Sequence, residues 1–578
     1  MDKSSQQLPT TRWRIPENEA PDIHTNLEKE LGIHPVLARI LANRSIKNPA
    51  EAKKFFSPSL ADLHSPFLMK DMLAGVERVI RAISRGERIT IYGDYDVDGI
   101  TSLVILFRFL RDAHADVRYY IPNRVDEGYS LNLKAIDAIK ADGTSLIITV
   151  DCGSSDRDEI AHANSLGVDV VVLDHHEIPD VLPRAVAIIN TNRSDCRFPF
   201  KDLAGVGIVF NFLIALRSKL RDAGFWSQGG YPNLKEYLDL VALGTIGDIS
   251  PLTDENRIFT RIGLELINRG SRVGLKALQS ACGIDSSLDS ITASFTLIPR
   301  INAAGRIASP EDSIKLLLTD NPAEAAAIAR KLESYNRERQ SMEKAILSSA
   351  LAEIEGSEEL AGQPAFILSS ARWHPGVIGI VASKLVDVYY RPVMLISLRN
   401  GVGKGSGRSV SEINLHEILK ACDSYLLAHG GHRYAAGISI REEMIGDFRS
   451  AFISMLSRQR DVAGLGPLSL IDAQCTLAEV DGSLISQFEM LAPFGSMNPE
   501  PVLYSRQVQV SSLSVAGNRH LRMRVSGDGV SRNSIWFGKG DFLGRISNPL
   551  HDIIFTPQMN NWNGSSTIQL KIRDMAAA

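Results

Sequence analysis

Residues 89–102 read ITIYGDYDVDGITS. A β-branched, apolar run at 89–92 leads into Gly93; Asp94, Asp96 and Asp98 follow, and then Gly99 opens a helical pattern. Such a run bounded by glycine predicts a buried strand that hands over directly to a helix. Three carboxylates within five residues repel one another, and a folded chain tolerates them best when cations neutralise them. Taken alone, the stretch also suits a solvated loop or a calcium loop.

The flanking sequence decides between these readings. RITIY (88–92), VRYYI (117–121), SLIITV (145–150), VDVVVL (168–173) and AVAII (185–189) alternate with helical patterns between about 71 and 270. Apolar strands separated by helices predict a doubly wound parallel sheet. SLIITV ends directly in Asp151, and VDVVVL ends directly in Asp174-His175-His176. In an open parallel sheet, ligands bind outside the carboxyl ends of the strands, where the strand order reverses. Three successive strands thus deliver Asp94 and Asp96, Asp151, and His175 to one edge. A fourth carboxylate, Asp248, closes VALGTIGDISPL (241–252) where a helix stops. Helix C-termini favour cations, so an acid there also points to metal. Carboxylates with one or two imidazoles suit Mn²⁺ or Mg²⁺ better than structural zinc. Several carboxylates without cysteine fit a two-metal site that hydrolyses a phosphodiester.

The rest of the chain predicts a multidomain α/β protein. Its segments are an N-terminal helical segment (1–70, with a capped helix start at NPAEAKKFF), the sheet domain (71–309) and a long connecting helix (310–360). A smaller α/β domain (361–464) and a C-terminal β module (465–578) complete it. In the smaller domain, AFILSS (365–370) and VMLIS (393–397) predict strands, with helices near 377–388 and 412–428. After residues 464–467 short strands predominate and predict a small barrel carrying Arg506, Arg519, Arg522 and Arg524.

With 578 residues the chain exceeds a single core, and 44% hydrophobic with 22% charged residues is ordinary for a globular protein. A net charge of −4 makes whole-surface attraction to a polyanion an unsuitable mechanism, so local arginines or metal must hold one. Five cysteines without CxxC spacing argue against a zinc ribbon and for a reducing cytoplasm. Residues 1–9 lack the apolar run of a signal peptide, and no segment has the length of a membrane span.

GDYDVDG, VDCG, DHH, ALGTIGDISPL and PRINAAGR (299–306), in that order, closely resemble the DHH phosphoesterase superfamily, and within it the RecJ family of single-stranded-DNA exonucleases. GSGRS (405–409) and GGHRYAAG (430–437) look like that family's DHH-associated domain, and PFGSMNPEP (493–501) is similar to the entry to its oligonucleotide-binding (OB) barrel. The resemblance covers most of residues 70–505. It implies Asp94, Asp96, Asp151, His175 and Asp248 as ligands of two Mn²⁺ or Mg²⁺ ions, with Asp151 bridging. Asp98 would orient the ligands, and Asp174 would fix the His175 tautomer. His176 would polarise the scissile phosphate or its leaving oxygen, and His432 would contact the same phosphate. Arg124, Ser406 and Arg408 would grip the terminal phosphate of the substrate; Arg300, Asn302 and Arg306 would contact the strand. Two departures stand out: Tyr92 occupies a position where some relatives carry histidine, and Met497 one where the family usually has glycine.

The activity so implied is 5′-to-3′ degradation of single-stranded DNA to 5′-mononucleotides in DNA repair and recombination, by a cytoplasmic monomer. A single-stranded-DNA-binding protein and a recombination helicase are the partners that family analogy implies. A small-nucleotide phosphodiesterase is the alternative, although chain size and the β module argue against it. A non-catalytic scaffold ranks last, because every acidic and DHH position is intact. The aromatics of the β module and Cys152 read as packing residues, and His429 carries no role.

Overall fold

Strands β1 (Ile89–Gly93), β2 (Val117–Tyr120), β3 (Leu146–Val150), β4 (Asp169–Leu173) and β5 (Ala187–Ile189) form one parallel sheet in the order β2-β1-β3-β4-β5. A parallel sheet is covered on both faces, so its strands must be apolar throughout, and every residue of β1 and β3 is buried. The chain moves from β1 outward to β2, then returns to the other side of β1 for β3. The strand order therefore reverses between β1 and β3. One face packs Tyr92, Ile147, Val170, Val172 and Ile188 against the apolar sides of helices 133–141 and 157–165. Helix α1 (Val97–Asp112) packs on α2 (Gly205–Asp222) and α3 (Leu238–Gly247). Residues 238–246 of α3 are all buried, as an all-apolar helix requires.

The computed structural model describes residues 11–16, 21–124, 127–226, 230–459, 466–517, 519–546, 548–562 and 565–578. The polar stretch 1–9 and the first half of the 464–467 break, residues 464 and 465, lie outside these. The chain divides into two compact units: Asp62–Leu465 with Gly495–Met497, and Met1–Ala61 with Gly466–Phe494 and Asn498–Ala578.

The first of these units continues from the parallel sheet through α4 (Ile298–Ile307) into α5 (Pro322–Glu355). The 34 residues of α5 span roughly 50 Å at the α-helical rise. Asn321 caps α5 by accepting from the backbone N–H groups of Ala323 and Glu324. A second sheet follows, with β6 (Phe366–Ser370), helix α6 (Ile378–Tyr389), β7 (Val393–Arg399), β8 (Val402–Arg408), β9 (Ala428–Gly431) and β10 (Ala435–Arg441). Its order is β9-β10-β8-β7-β6; only β6 and β7 are parallel. The GSGR motif thus lies in a central strand, although glycine disfavours strands. Packing explains it. A Cβ would meet Ile396 at 2.6 Å from position 403, Ile438 at 2.5 Å from 405 and Met394 at 2.6 Å from 407. The helix expected near 412–428 is shorter, Leu415–Ala421, and the chain then enters β9.

The other unit holds a closed five-stranded barrel: β11 (Leu503–Ala516), β12 (His520–Gly527), β13 (Val530–Trp536), β14 (Leu550–Trp562) and β15 (Ser565–Ala577). The order is β11-β12-β13-β15-β14, and β14 pairs back onto β11. Helices Pro21–Leu31, Pro35–Asn43 and Pro49–Phe56 share its core. Asn48 caps the third, accepting from Glu51 N at 2.9 Å. Val36, Leu37, Ile40 and Leu41 belong to one apolar cluster with Leu477, Leu484, Leu503, Val525, Ile553 and Phe555. Arg44 pairs with Asp472 at 2.7 Å, and Arg12–Arg14 runs parallel to Leu468–Leu470. A deletion that tests the barrel must therefore remove residues 1–61 with it. No helix among the described residues is long and apolar enough to cross a membrane.

Candidate metal centre and phosphate pocket

The strand-order reversal gathers the acidic residues. Asp96 caps α1, its Oδ1 accepting from Asp98 N (2.9 Å) and Gly99 N (3.2 Å). This turn needs Gly99, because a Cβ there would lie 2.6 Å from the Asp94 carbonyl oxygen. Asn302 of α4 pins the same turn by accepting from Val97 N at 2.8 Å. Asp98 is buried, with both oxygens held at the N-terminus of α2: Oδ2 accepts from Gly205 N (2.7 Å) and Oδ1 from Val206 N (2.9 Å).

Asp151 follows β3 with φ +61°, a left-handed conformation that aspartate tolerates better than most residues. Its Oδ1 lies 3.1 Å from His175 Nε2. His175 Nε2 is in turn 3.9 Å from Asp98 Oδ2 and 3.9 Å from Asp248 Oδ1. Asp248 caps the C-terminus of α3, and Ser250 Oγ donates to it at 2.5 Å. Three sets of ligand atoms each converge within 4.8 Å: Asp94, Asp96 and Asp151; Asp151, His175 and His176; Asp98, His175 and Asp248.

These groups fit divalent metal. Asp94 Oδ1 is buried without a hydrogen-bond partner, and Asp151 Oδ1 and His175 Nε2, though 3.1 Å apart, are not aligned for a hydrogen bond and have no other partner, which is costly unless a cation faces them. Burial and mutual repulsion push the carboxyls up: Asp94 to about 8 beside Asp96, and Asp98 to about 7 beside Asp248. Burial and Asp98 likewise raise Asp151 well above the carboxylate range. Metal must therefore displace protons from this cluster. Calorimetric titration with Mn²⁺ should show tighter binding at pH 8.5 than at pH 6, with proton release at the lower pH. An affinity independent of pH would contradict the assignment.

The Asp174 carboxylate meets the ring of His176, and of His175 it meets the backbone N–H rather than the ring. Its Oδ1 accepts from the ring Nδ1 of His176 (2.7 Å) and from the backbone N–H groups of His175 (2.8 Å) and His176 (3.2 Å); Oδ2 accepts from Ser154 N (3.0 Å). Although burial opposes it, this pairing holds the Asp174 carboxyl far below its usual range. Burial likewise opposes protonation of His176, yet Asp174 raises it to about 9. Tyr129 Oη donates to the Asp151 carbonyl oxygen (3.2 Å) and lies 3.2 Å from His176 Nε2. Sequence reasoning passed over Tyr129, although it stands five residues after Arg124 in the same motif. The His432 ring stacks on His176, centroids 6.0 Å apart, with its Nδ1 3.3 Å from Glu177.

A basic pocket adjoins the acidic cluster. The Arg124 guanidinium lies 4.8 Å over the ring of Tyr95, between Asp94 and Asp96 in sequence. Strand β8 places Ser406 and Arg408 on one face, with Arg408 Nη1 donating to Ser406 Oγ (3.2 Å) and Gly407 O (2.7 Å). Arg306 donates to Gly376 O at 3.3 Å. Burial and Arg124 push Arg306 down to about 9 and Arg408 down to about 10. Among the described residues, Arg124, Arg306 and Arg408 contact a ring, backbone carbonyls and Ser406 Oγ rather than a carboxylate. Glycines open this pocket: a Cβ at 376 would lie 2.2 Å from Arg306 O, and one at 379, in the first turn of α6, 2.8 Å from Ser406 Oγ. The sequence reading missed this contribution of α6. Arg300 is engaged elsewhere, bound to Glu333 of α5 (2.6 Å) and Thr296 O (2.7 Å). Tyr92 is no ligand: its ring is in the sheet core and its Oη donates to Ser130 O (2.8 Å).

A doubly wound sheet with carboxylates at its reversal point and an Asp-His-His turn defines the class, a metal-dependent DHH-type domain. The chain matches the family described as "DHH family, N-terminal domain" over residues 88–245, "DHHA1 domain" over 362–458 and "RecJ OB domain" over 471–574. It is 36% identical to the single-stranded-DNA-specific exonuclease RecJ of Bacillus subtilis, over 98% of this chain and 71% of that protein. It is 35% identical to the protein of that name from Salmonella typhimurium, over 94% and 96% of the two. The crystal structure of RecJ from Thermus thermophilus in complex with Mn²⁺ superposes with a TM-score of 0.85 at 29% identity, covering 98% of this chain and 80% of that one. The same protein in complex with Mg²⁺ superposes with a TM-score of 0.78 at 28% identity, covering 98% and 79%. The chain belongs to the RecJ family of single-stranded-DNA-specific exonucleases.

Proposed function

We propose that this protein is an exonuclease that degrades single-stranded DNA from the 5′ end to 5′-mononucleotides, with two Mn²⁺ or Mg²⁺ ions, in DNA repair and recombination. The supporting observation is the adjacency of an arginine pocket, without ion pairs among the described residues, and a buried carboxylate cluster, linked through Tyr95. Arg124, Ser406 and Arg408 hold the terminal phosphate by charge-assisted contacts, with Arg306 beside them. The next phosphate then lies at the carboxylates. Asp94, Asp96, Asp151, His175, Asp248 and, by its geometry, Asp98 form the set from which the metal ligands come. When bound, the ions supply Lewis-acid polarisation of the phosphoryl oxygens and a nucleophilic water at neutral pH. Asp174 engages His176 Nδ1 and keeps the ring protonated, so that Nε2 can donate toward the departing 3′ oxygen. His432, stacked on that ring, reaches the same phosphate. Each cleavage leaves a new 5′-phosphate, which the arginine pocket can take up again.

End-labelled single- and double-stranded oligonucleotides, incubated with Mn²⁺, Mg²⁺ or chelator, test this reading directly. Metal-dependent loss of single strands from the 5′ end is expected. Arg408→Ala should weaken cleavage of 5′-phosphorylated strands by roughly 10- to 100-fold, the range for a hydrogen bond to a charged group. Strands ending in a 5′-hydroxyl should be little affected. Equal losses on both substrates would remove Arg408 from the terminal pocket.

A further inference from the structure

The three most exposed large apolar side chains among the described residues are Phe295 (76%), Met497 (73%) and Ile249 (72%). All three are tied to the end of α3, where Asp248 enters the metal cluster. Ile249 is the next residue. Leu252 N donates to Ser496 O at 2.8 Å, which brings the Gly495–Met497 segment of this unit onto the chain leaving Asp248. Gly495 permits that approach, since a Cβ there would lie 2.7 Å from Leu252 Cδ1. Phe295 lies in a π-helical turn, Ala293–Leu297, that runs directly into α4, and Ile298 of α4 packs against Gly247. Such turns often mark functional sites.

Two of the three are also strained. Ile249 has φ +62° and Met497 φ +55°. A β-branched side chain is a genuine outlier there, whereas glycine or asparagine would fit easily. Exposure and strain both oppose stability, and neither side chain repays the cost by entering the core. Phe295 also lies two turns before Asn302 and three before Arg306 on one helical run, so the same element carries residues of the catalytic turn and of the phosphate pocket.

We propose that Phe295, Ile249 and Met497 form an apolar platform for the unpaired bases of the bound strand, and so contribute to the preference for single-stranded DNA. The inference rests on the reading that a strand is held at its terminal phosphate and cut beside Asp248. Bases that are unpaired offer π-faces that apolar and aromatic side chains can cover, whereas a duplex keeps them stacked within itself.

The test is steady-state cleavage of a 5′-phosphorylated oligonucleotide and of the same strand with abasic residues at the third to sixth positions. Wild type should show a higher KM on the abasic strand. Phe295→Ala should raise KM on the intact strand about tenfold, within the range for loss of one base–aromatic stack, with little change in kcat. It should also lose most of the discrimination against abasic residues. Met497→Gly and Ile249→Asn should raise KM while raising the thermal midpoint, because both relieve backbone strain. Unchanged KM in Phe295→Ala, or an equal rise on intact and abasic strands, would overturn the platform. A wild type that cleaves no single strand would overturn the functional reading itself, a distinguishable result.

Discussion

Asp151→Asn is expected to lower kcat by at least about 10³-fold while leaving oligonucleotide affinity within a few-fold of wild type. Asp151 belongs to two of the three sets of convergent ligand atoms, so a single substitution disrupts the part of the cluster that they share. Loss of a carboxylate that would serve two ions would remove several kcal/mol of transition-state charge stabilisation, and about 4 kcal/mol corresponds to roughly 10³ in rate. Asparagine is the better probe than alanine because it tolerates the left-handed backbone at φ +61°. Its amide also fits where Gly205 leaves room, since a Cβ at 205 would lie 2.8 Å from Asp151 Oδ1. Affinity should persist because the arginine pocket is untouched. Near wild-type metal content with residual turnover above about a tenth would sink the bridging role.

His176→Ala should reduce kcat by roughly 10²-fold or more, the effect expected when a group acting on developing charge is removed. Metal content should stay near wild type. His175, not His176, brings Nε2 close to Asp98, Asp151 and Asp248 together, whereas the Nδ1 of His176 is engaged by Asp174. Asp174→Asn should reproduce much of the defect, because it removes the charge that keeps the His176 ring protonated and oriented. If calorimetry showed His176→Ala losing a metal while His175→Ala kept both, the two roles would be reversed.

The parallel sheet and the convergence of its strand-end acids were legible because such carboxylates leave a strong pattern: a buried apolar run breaking directly into Asp or Asp-His-His. Hydrogen-bond partners left no such trace. Whether Asp174 served the ring of His175 or that of His176 depended on a turn that Asn190 and Asn192 hold by donating to the two histidine carbonyls, at 2.9 and 2.6 Å. Arg300 and Arg306 were indistinguishable in PRINAAGR, yet one pairs with Glu333 and the other is left among arginines. Strand β8 was hidden because its glycines answer to Ile396, Ile438 and Met394 rather than to backbone preference. The core shared by the first helices and the barrel was illegible for a simpler reason. Its two parts lie at opposite ends of the sequence, and no local pattern reports such a pairing.

That shared core sets the order in which the chain can be completed on the ribosome. The apolar side chains of Pro35–Asn43 emerge early, but the strands that cover them follow only after residues 62–465 have been made. At about 5–20 residues per second, the wait is roughly 20–80 s. Throughout that interval Val36, Leu37, Ile40 and Leu41 have no native surface to enter, while the catalytic unit can already assemble. A ribosome stalled before β11 would therefore carry a metal centre capable of forming and an N-terminus still seeking its core, the kind of nascent chain that a chaperone must shield.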